Sequence, residues 1–72
     1  MNNIYTIGEV ADILNVSIRD IRHYEYEGII SPSSIGKYNI KLYNGSDINK
    51  LKQIIAMRSA GFTIDDIKDE ID

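Results

Sequence analysis

A chain of 72 residues is long enough for one small core and too short for a second domain. Its 43% hydrophobic and 26% charged residues fit a folded globular chain and argue against a disordered or low-complexity one. A formal charge of −3 and the lack of any cysteine set harder limits: phosphate binding must come from a local basic surface, and neither a disulfide framework nor a thiolate metal site is possible.

Apolar residues Ile7, Val10, Ala11 and Leu14 follow the i, i+3, i+4, i+7 template, so a first helix is expected over about residues 7–14. Thr6, followed by Glu9, is its hydroxyl cap and first-turn carboxylate. Asn15 and Val16 supply a turn, with Val16 placed to staple a second helix that Ser17 caps and that runs to about Glu27. Two short helices joined by a tight bend, the second exposing arginines, are the layout of a DNA-reading helix-turn-helix.

At about 100° per residue, Ile18, Ile21 and Glu25 share one face of the second helix; Arg19, His23 and Tyr26 share the opposite one, with Arg22 and Tyr24 on the flanks. Gly28 closes the helix, and the β-prone pair Ile29–Ile30 is expected to begin a strand before Ser31 and Pro32. Residues 31–39 are rich in Ser, Gly, Pro and Asn, and residues 40–43 alternate apolar and polar, which reads as a hairpin with Lys37 and Tyr38 near its tip and Lys41 on the returning strand. Asn44–Gly45 is a turn signal and Ser46 the expected cap of a third helix. That helix carries Ile48, Leu51, Ile54 and Ile55 on one stripe and runs to about Ala60, with Gly61 as its stop and Phe62 as the hydrophobic contact of the cap. Thr63 with Asp66 repeats the hydroxyl-then-acid start, and Ile64, Ile67 and Ile71 give a fourth helix its apolar face. The fold class is therefore mainly α with a small β-hairpin, a winged helix-turn-helix of four helices: helix-turn-helix about 6–27, wing about 28–43, helices about 46–60 and 63–71.

Charge is unevenly spread. Between Ser17 and Arg58 seven basic residues face four acidic ones, a local +3, whereas the two ends carry the remaining −6. Acid thus gathers at Glu9, Asp12 and the last eight residues, which restricts the face that can meet a polyanion. The lone histidine, His23, sits beside Arg22, a poor setting for metal-dependent hydrolysis or His-based nucleophilic catalysis, so neither enzymatic function nor a metal or cofactor is expected. The longest aliphatic stretch is the four residues 54–57, far short of the roughly 20 that span a bilayer, and residues 1–5 have neither the basic start nor the apolar run of a secretory signal. A cytoplasmic, nucleoid-associated protein without membrane contact is expected.

The runs YTIGEVA (residues 5–11), VSIRDIRHYEYEGII (16–30), KLY (41–43) and AGFTIDDIK (60–68), in this order and spacing, resemble the MerR family of bacterial transcription regulators over nearly the whole chain. The resemblance implies sequence-specific binding of double-stranded DNA, with the recognition helix in the major groove and the wing on the backbone. It also implies a homodimer in the full-length protein, acting on a palindromic operator whose spacer is distorted so that RNA polymerase engages both promoter elements. It places Arg19, Arg22, His23 and Tyr24 in the recognition helix and Lys41 in the wing; His23 stands where a tyrosine is usual and Asp20 where a small hydroxyl residue is common. Such regulators continue into a long dimerisation helix and an effector domain, which 72 residues do not reach, so an excised domain or a short member is expected.

The DNA-contacting set read from the sequence is Ser17, Arg19, Arg22, His23, Tyr24, Lys37, Tyr38 and Lys41. Arg19 is expected on a base edge and Arg22 on phosphate. His23 is equally a solvated surface histidine, Tyr24 equally packs its ring on the wing, and Lys37 and Lys41 have a bland reading as edge-strand charges that block aggregation. Glu25, by its angle, is expected to accept a hydrogen bond from a neighbouring backbone group or cation. Two other functions remain open: an excisionase-like architectural factor that bends DNA, and a protein-interaction module, using the Ile64 face, that has lost DNA binding.

Overall fold

The computed structural model describes residues 3–71, with side chains through residue 70. Eight elements follow in order: β1 (Ile4–Thr6), α1 (Ile7–Leu14), α2 (Ile18–Tyr26), β2 (Ser34–Ile35), a short 3₁₀ turn (Lys37–Asn39), β3 (Lys41–Asn44), α3 (Gly45–Ser59) and α4 (Ile64–Ile71). The side chain of Ile71, expected on the apolar face of α4, lies outside the described residues.

Local hydrogen bonding explains where each helix starts. At α1 the Glu9 backbone N–H donates to Thr6 Oγ1 at 3.3 Å, while the Thr6 N–H donates to Glu9 Oε1 at 2.9 Å. At α2 the Asp20 N–H donates to Ser17 Oγ at 3.0 Å. Between them Asn15 takes the left-handed conformation at φ 55°, which a short amide side chain tolerates, and Val16 packs on the core as the expected staple. The α2 terminus is a Schellman motif: the Gly28 N–H donates to Glu25 O and the Ile29 N–H to Tyr24 O, with Gly28 at φ 81° supplying the left-handed turn.

Three expectations are corrected, and the expected hairpin is present but extended by a further strand. The third helix is capped by Asn44, not Ser46: the Asp47 N–H donates to Asn44 Oδ1 at 2.9 Å and the Asn44 N–H to Asp47 Oδ2 at 3.0 Å. No strand begins at Ile29–Ile30, because the Ile29 N–H is already engaged by the helix cap and Pro32 has none to offer; both isoleucines are buried, and the strand lies at Ser34–Ile35. The hairpin is also part of a larger sheet. Its order is β1-β3-β2, all antiparallel, with Tyr5 opposite Tyr43 and Ser34 opposite Leu42. Finally, Ile18 is 37% exposed, and the buried face of α2 is centred on Ile21 and Tyr24.

The core joins Val10 and Ala11 of α1, Ile21 and Tyr24 of α2, Ile29, Ile30, Tyr43 of β3, Ile48, Leu51 and Ile54 of α3, and Ile67 of α4. Ile55, expected on the same stripe, is half-buried. The α3 terminus repeats the Schellman pattern, with the Gly61 N–H donating to Arg58 O and the Phe62 N–H to Met57 O; Phe62 itself stays exposed.

At α4 the Thr63 N–H donates to Asp66 Oδ2 at 3.0 Å and the Asp66 N–H to Thr63 Oγ1 at 3.1 Å. The Thr63 backbone N–H, then its hydroxyl, hold the Asp66 carboxyl below its ordinary 3.8. A depressed folded-state value means that this contribution to stability is present above the unfolded value and is lost as pH falls through the folded one. Asp66→Asn is therefore expected to be less stable than the parent near neutral pH, with the gap closing as melts are repeated below pH 3.8. A gap that is constant with pH rules out the charged cap as its source.

Candidate nucleic-acid interface

α2 lies on the surface with its outward side built from Arg19, Arg22, His23 and Tyr26, all exposed. Ser17 is exposed at its N-terminus, its hydroxyl oxygen occupied by the cap bond. Helix phase separates Arg19, near the centre of the outward side, from Arg22, which turns toward the wing.

The wing is the β2–β3 ribbon with its connecting turn. Tyr38 stands at the tip, 92% exposed, and both Tyr38 and Asn39 hold left-handed backbones at φ 59° and 60°. The Gly36 N–H donates to Ile40 O at 2.7 Å and closes the turn, so the tip is a defined structure presenting Lys37 and Tyr38 outward.

Between α2 and the wing runs an open cleft of about 730 Å³ lined by Arg22, Glu25 and Tyr26 on one side and by Pro32, Ile40 and Lys41 on the other. The fold thus brings Arg22 and Lys41, 19 positions apart in sequence (41 − 22), onto one groove. Lys41 is not free in it: its Nζ donates to Glu25 Oε2 at 2.7 Å. The Glu25 side chain is only 8% exposed while that of Lys41 is 52% exposed, and Glu25 Oε1 has no hydrogen-bond partner among the described residues. The inward acceptor expected at residue 25 is present, and its partner is the wing cation. Arg22 has no ion pair among the described residues.

Tyr24 departs most from its expected place. Its ring belongs to the core cluster that also holds Tyr43 of β3, not to the outward side of α2. Burial, reinforced by the Asp20 carboxylate, pushes its phenol above the ordinary value, and the Arg58 guanidinium opposes that shift. Any contact it makes with a ligand is confined to its hydroxyl. Tyr26 lies where its helical phase places it, on the same side as Arg19, and is 81% exposed.

The acidic C-terminal segment reaches toward this surface through an ion pair. Lys68 Nζ of α4 approaches Glu27 Oε2, just beyond α2, at 3.4 Å. Among the described residues no group of acidic, histidine or cysteine side chains could hold a metal ion, and no helix is long and apolar enough to cross a membrane.

Residues 5–72 match the family described as MerR HTH family regulatory protein. The chain belongs to the MerR family. It is 35% identical to the HTH-type transcriptional activator mta of Bacillus subtilis over 68 residues, 94% of this chain and 26% of that protein. With the HTH-type transcriptional activator TipA of Streptomyces coelicolor it shares 32% identity over 63 residues, 88% of this chain and 25% of that protein. This MerR-family domain therefore spans about a quarter of the length of those relatives. Its fold superimposes with a TM-score of 0.89 on the N-terminus of the Bacillus subtilis multidrug transporter activator MtaN, at 35% identity and covering 94% of this chain and 64% of that one. A MerR family regulator from Bacillus cereus gives the same score at 28% identity, over 96% of this chain and 52% of that one. So does HiNmlR, a MerR family regulator lacking the sensor domain and bound to promoter DNA, at 22% identity over 96% and 52%, a likeness that bears on the fold alone. These relatives are regulators of transcription rather than enzymes.

Proposed function

We propose that this MerR-family domain binds double-stranded DNA sequence-specifically and serves transcription regulation, with α2 in the major groove and the β2–β3 wing on the adjacent backbone. The observation that carries this reading is the groove itself: Arg22 from the helix and Lys41 from the wing face one open channel, next to an outward side bearing Arg19, His23 and Tyr26. A cationic channel beside a protruding helix suits a phosphate rail running past a major-groove edge.

In this arrangement Arg19 reaches a base edge, Arg22 holds phosphate, and Lys37, Tyr38 and Lys41 meet the backbone on the wing side. Ser17 orients the start of α2, and His23 and the Tyr24 hydroxyl flank the contact. Membership of the MerR family supports action as a homodimer in a longer protein, on promoter DNA in the cytoplasm, with RNA polymerase engaged through the promoter. The test is a titration of labelled duplexes at several salt concentrations. Affinity is expected to fall with salt with a slope of roughly −0.9 per phosphate neutralised, and one selected sequence is expected to outcompete mixed-sequence DNA. Salt-independent binding, or no binding at low salt, overturns it.

A further inference from the structure

We propose that Glu25 sets the strength of the wing's grip by competing with DNA phosphate for Lys41, so that the parent chain holds DNA more weakly than its scaffold allows. The proposal rests on the DNA-binding reading above and assigns Glu25 a role that the contact residues alone do not supply.

The Glu25 carboxylate is buried on α2, lines the same groove as Arg22 and Lys41, and accepts from Lys41 Nζ at 2.7 Å through one oxygen. Its other oxygen has no partner among the described residues. Lys41 is therefore the principal group answering this charge, and its withdrawal toward a phosphate leaves a buried carboxylate uncompensated. Phosphate must displace or share a cation that is already neutralised, and a neutralised cation releases little counterion from DNA. Glu25 acts on the outcome without touching DNA. In a chain of net charge −3, removing a carboxylate that lines the groove also lowers repulsion along the phosphate path. Arg22, one turn earlier on the same helix, pairs with no acid among the described residues and keeps its full charge, so Glu25 separates a free cation from a restrained one.

The experiment measures affinity for a mixed-sequence duplex against salt for the parent chain, Glu25→Gln, Lys41→Gln and the double variant. Glutamine keeps the shape of Glu25 and removes its charge. Glu25→Gln is expected to bind about threefold tighter or more at low salt, with a slope steeper by up to roughly 0.9, the value of one phosphate contact. In the Lys41→Gln background the same substitution is expected to lose most of this gain. Weaker binding by Glu25→Gln with an unchanged melt assigns Glu25 to holding the wing in place and overturns the proposal, as does an equal gain in both backgrounds, which is general repulsion only. If Glu25→Gln melts early, Lys41→Arg is compared with the parent chain instead: a cation still paired with Glu25 is expected to leave affinity within about twofold of the parent, and a gain of about threefold or more contradicts competition. If the parent chain binds no duplex at all, it is the DNA-binding reading that fails.

Discussion

Leu51→Ala is expected to unfold the chain at room temperature. Leu51 is fully buried at the middle of α3, the helix that packs on β3, α1 and α4. Truncating a buried leucine costs about 2–5 kcal/mol, because the transfer term is lost and a rigid neighbourhood leaves a cavity. A single core in a domain of this size supplies only about 3–5 kcal/mol of net stability. The two figures nearly cancel, so circular dichroism melts are expected to show a broad, low-temperature transition or none. Ile13→Ala, on the exposed side of α1, is expected to change stability by less than about 0.5 kcal/mol and serves as the control. A cooperative melt of Leu51→Ala close to that of the parent would show that α3 is not the organising helix.

The second large effect separates the two arginines of α2. Arg22 faces the groove with Lys41, so Arg22→Ala is expected to weaken every duplex alike and to make the salt slope shallower by roughly 0.9. Arg19 sits near the centre of the outward side, and Arg19→Ala is expected to lower discrimination at one base pair by about 1–3 kcal/mol. Both side chains are exposed, so melts of the two variants should match the parent. Competition titrations with single-base-pair variants of a selected site decide the assignment: relaxed specificity in Arg22→Ala with none in Arg19→Ala would exchange the two roles.

Much of this surface was legible in the chain because its signals are local. Thr6 with Glu9, Ser17 and Thr63 with Asp66 each announce a helix start through hydrogen bonds spanning three residues, and all three appear in the structure. The same spacing in Asn44 and Asp47 was equally readable, but the Asn–Gly turn signal beside it drew the cap two residues downstream. β1 was missed for a different reason: three residues with no adjacent turn carry no hairpin signal, and their partners lie at residues 42–44. The phase of α2 slipped because Ile18 sits at the margin of the buried arc, while Tyr24, amphipathic by nature, closes its centre. The Glu25–Lys41 pair joins residues 16 apart across two elements, and only its inward half was inferable from helical geometry.

Asn44 has two employments. It is the last residue of β3, opposite Ile4 in the sheet, and the cap whose side chain receives the Asp47 N–H. Ser33, at the threshold of the wing, also donates to Asp47 Oδ2. No loop intervenes between the ribbon and the longest rod of the protein. The ribbon passes directly into α3, and α3 in turn packs on α4, so the wing and the last helix share one continuous support.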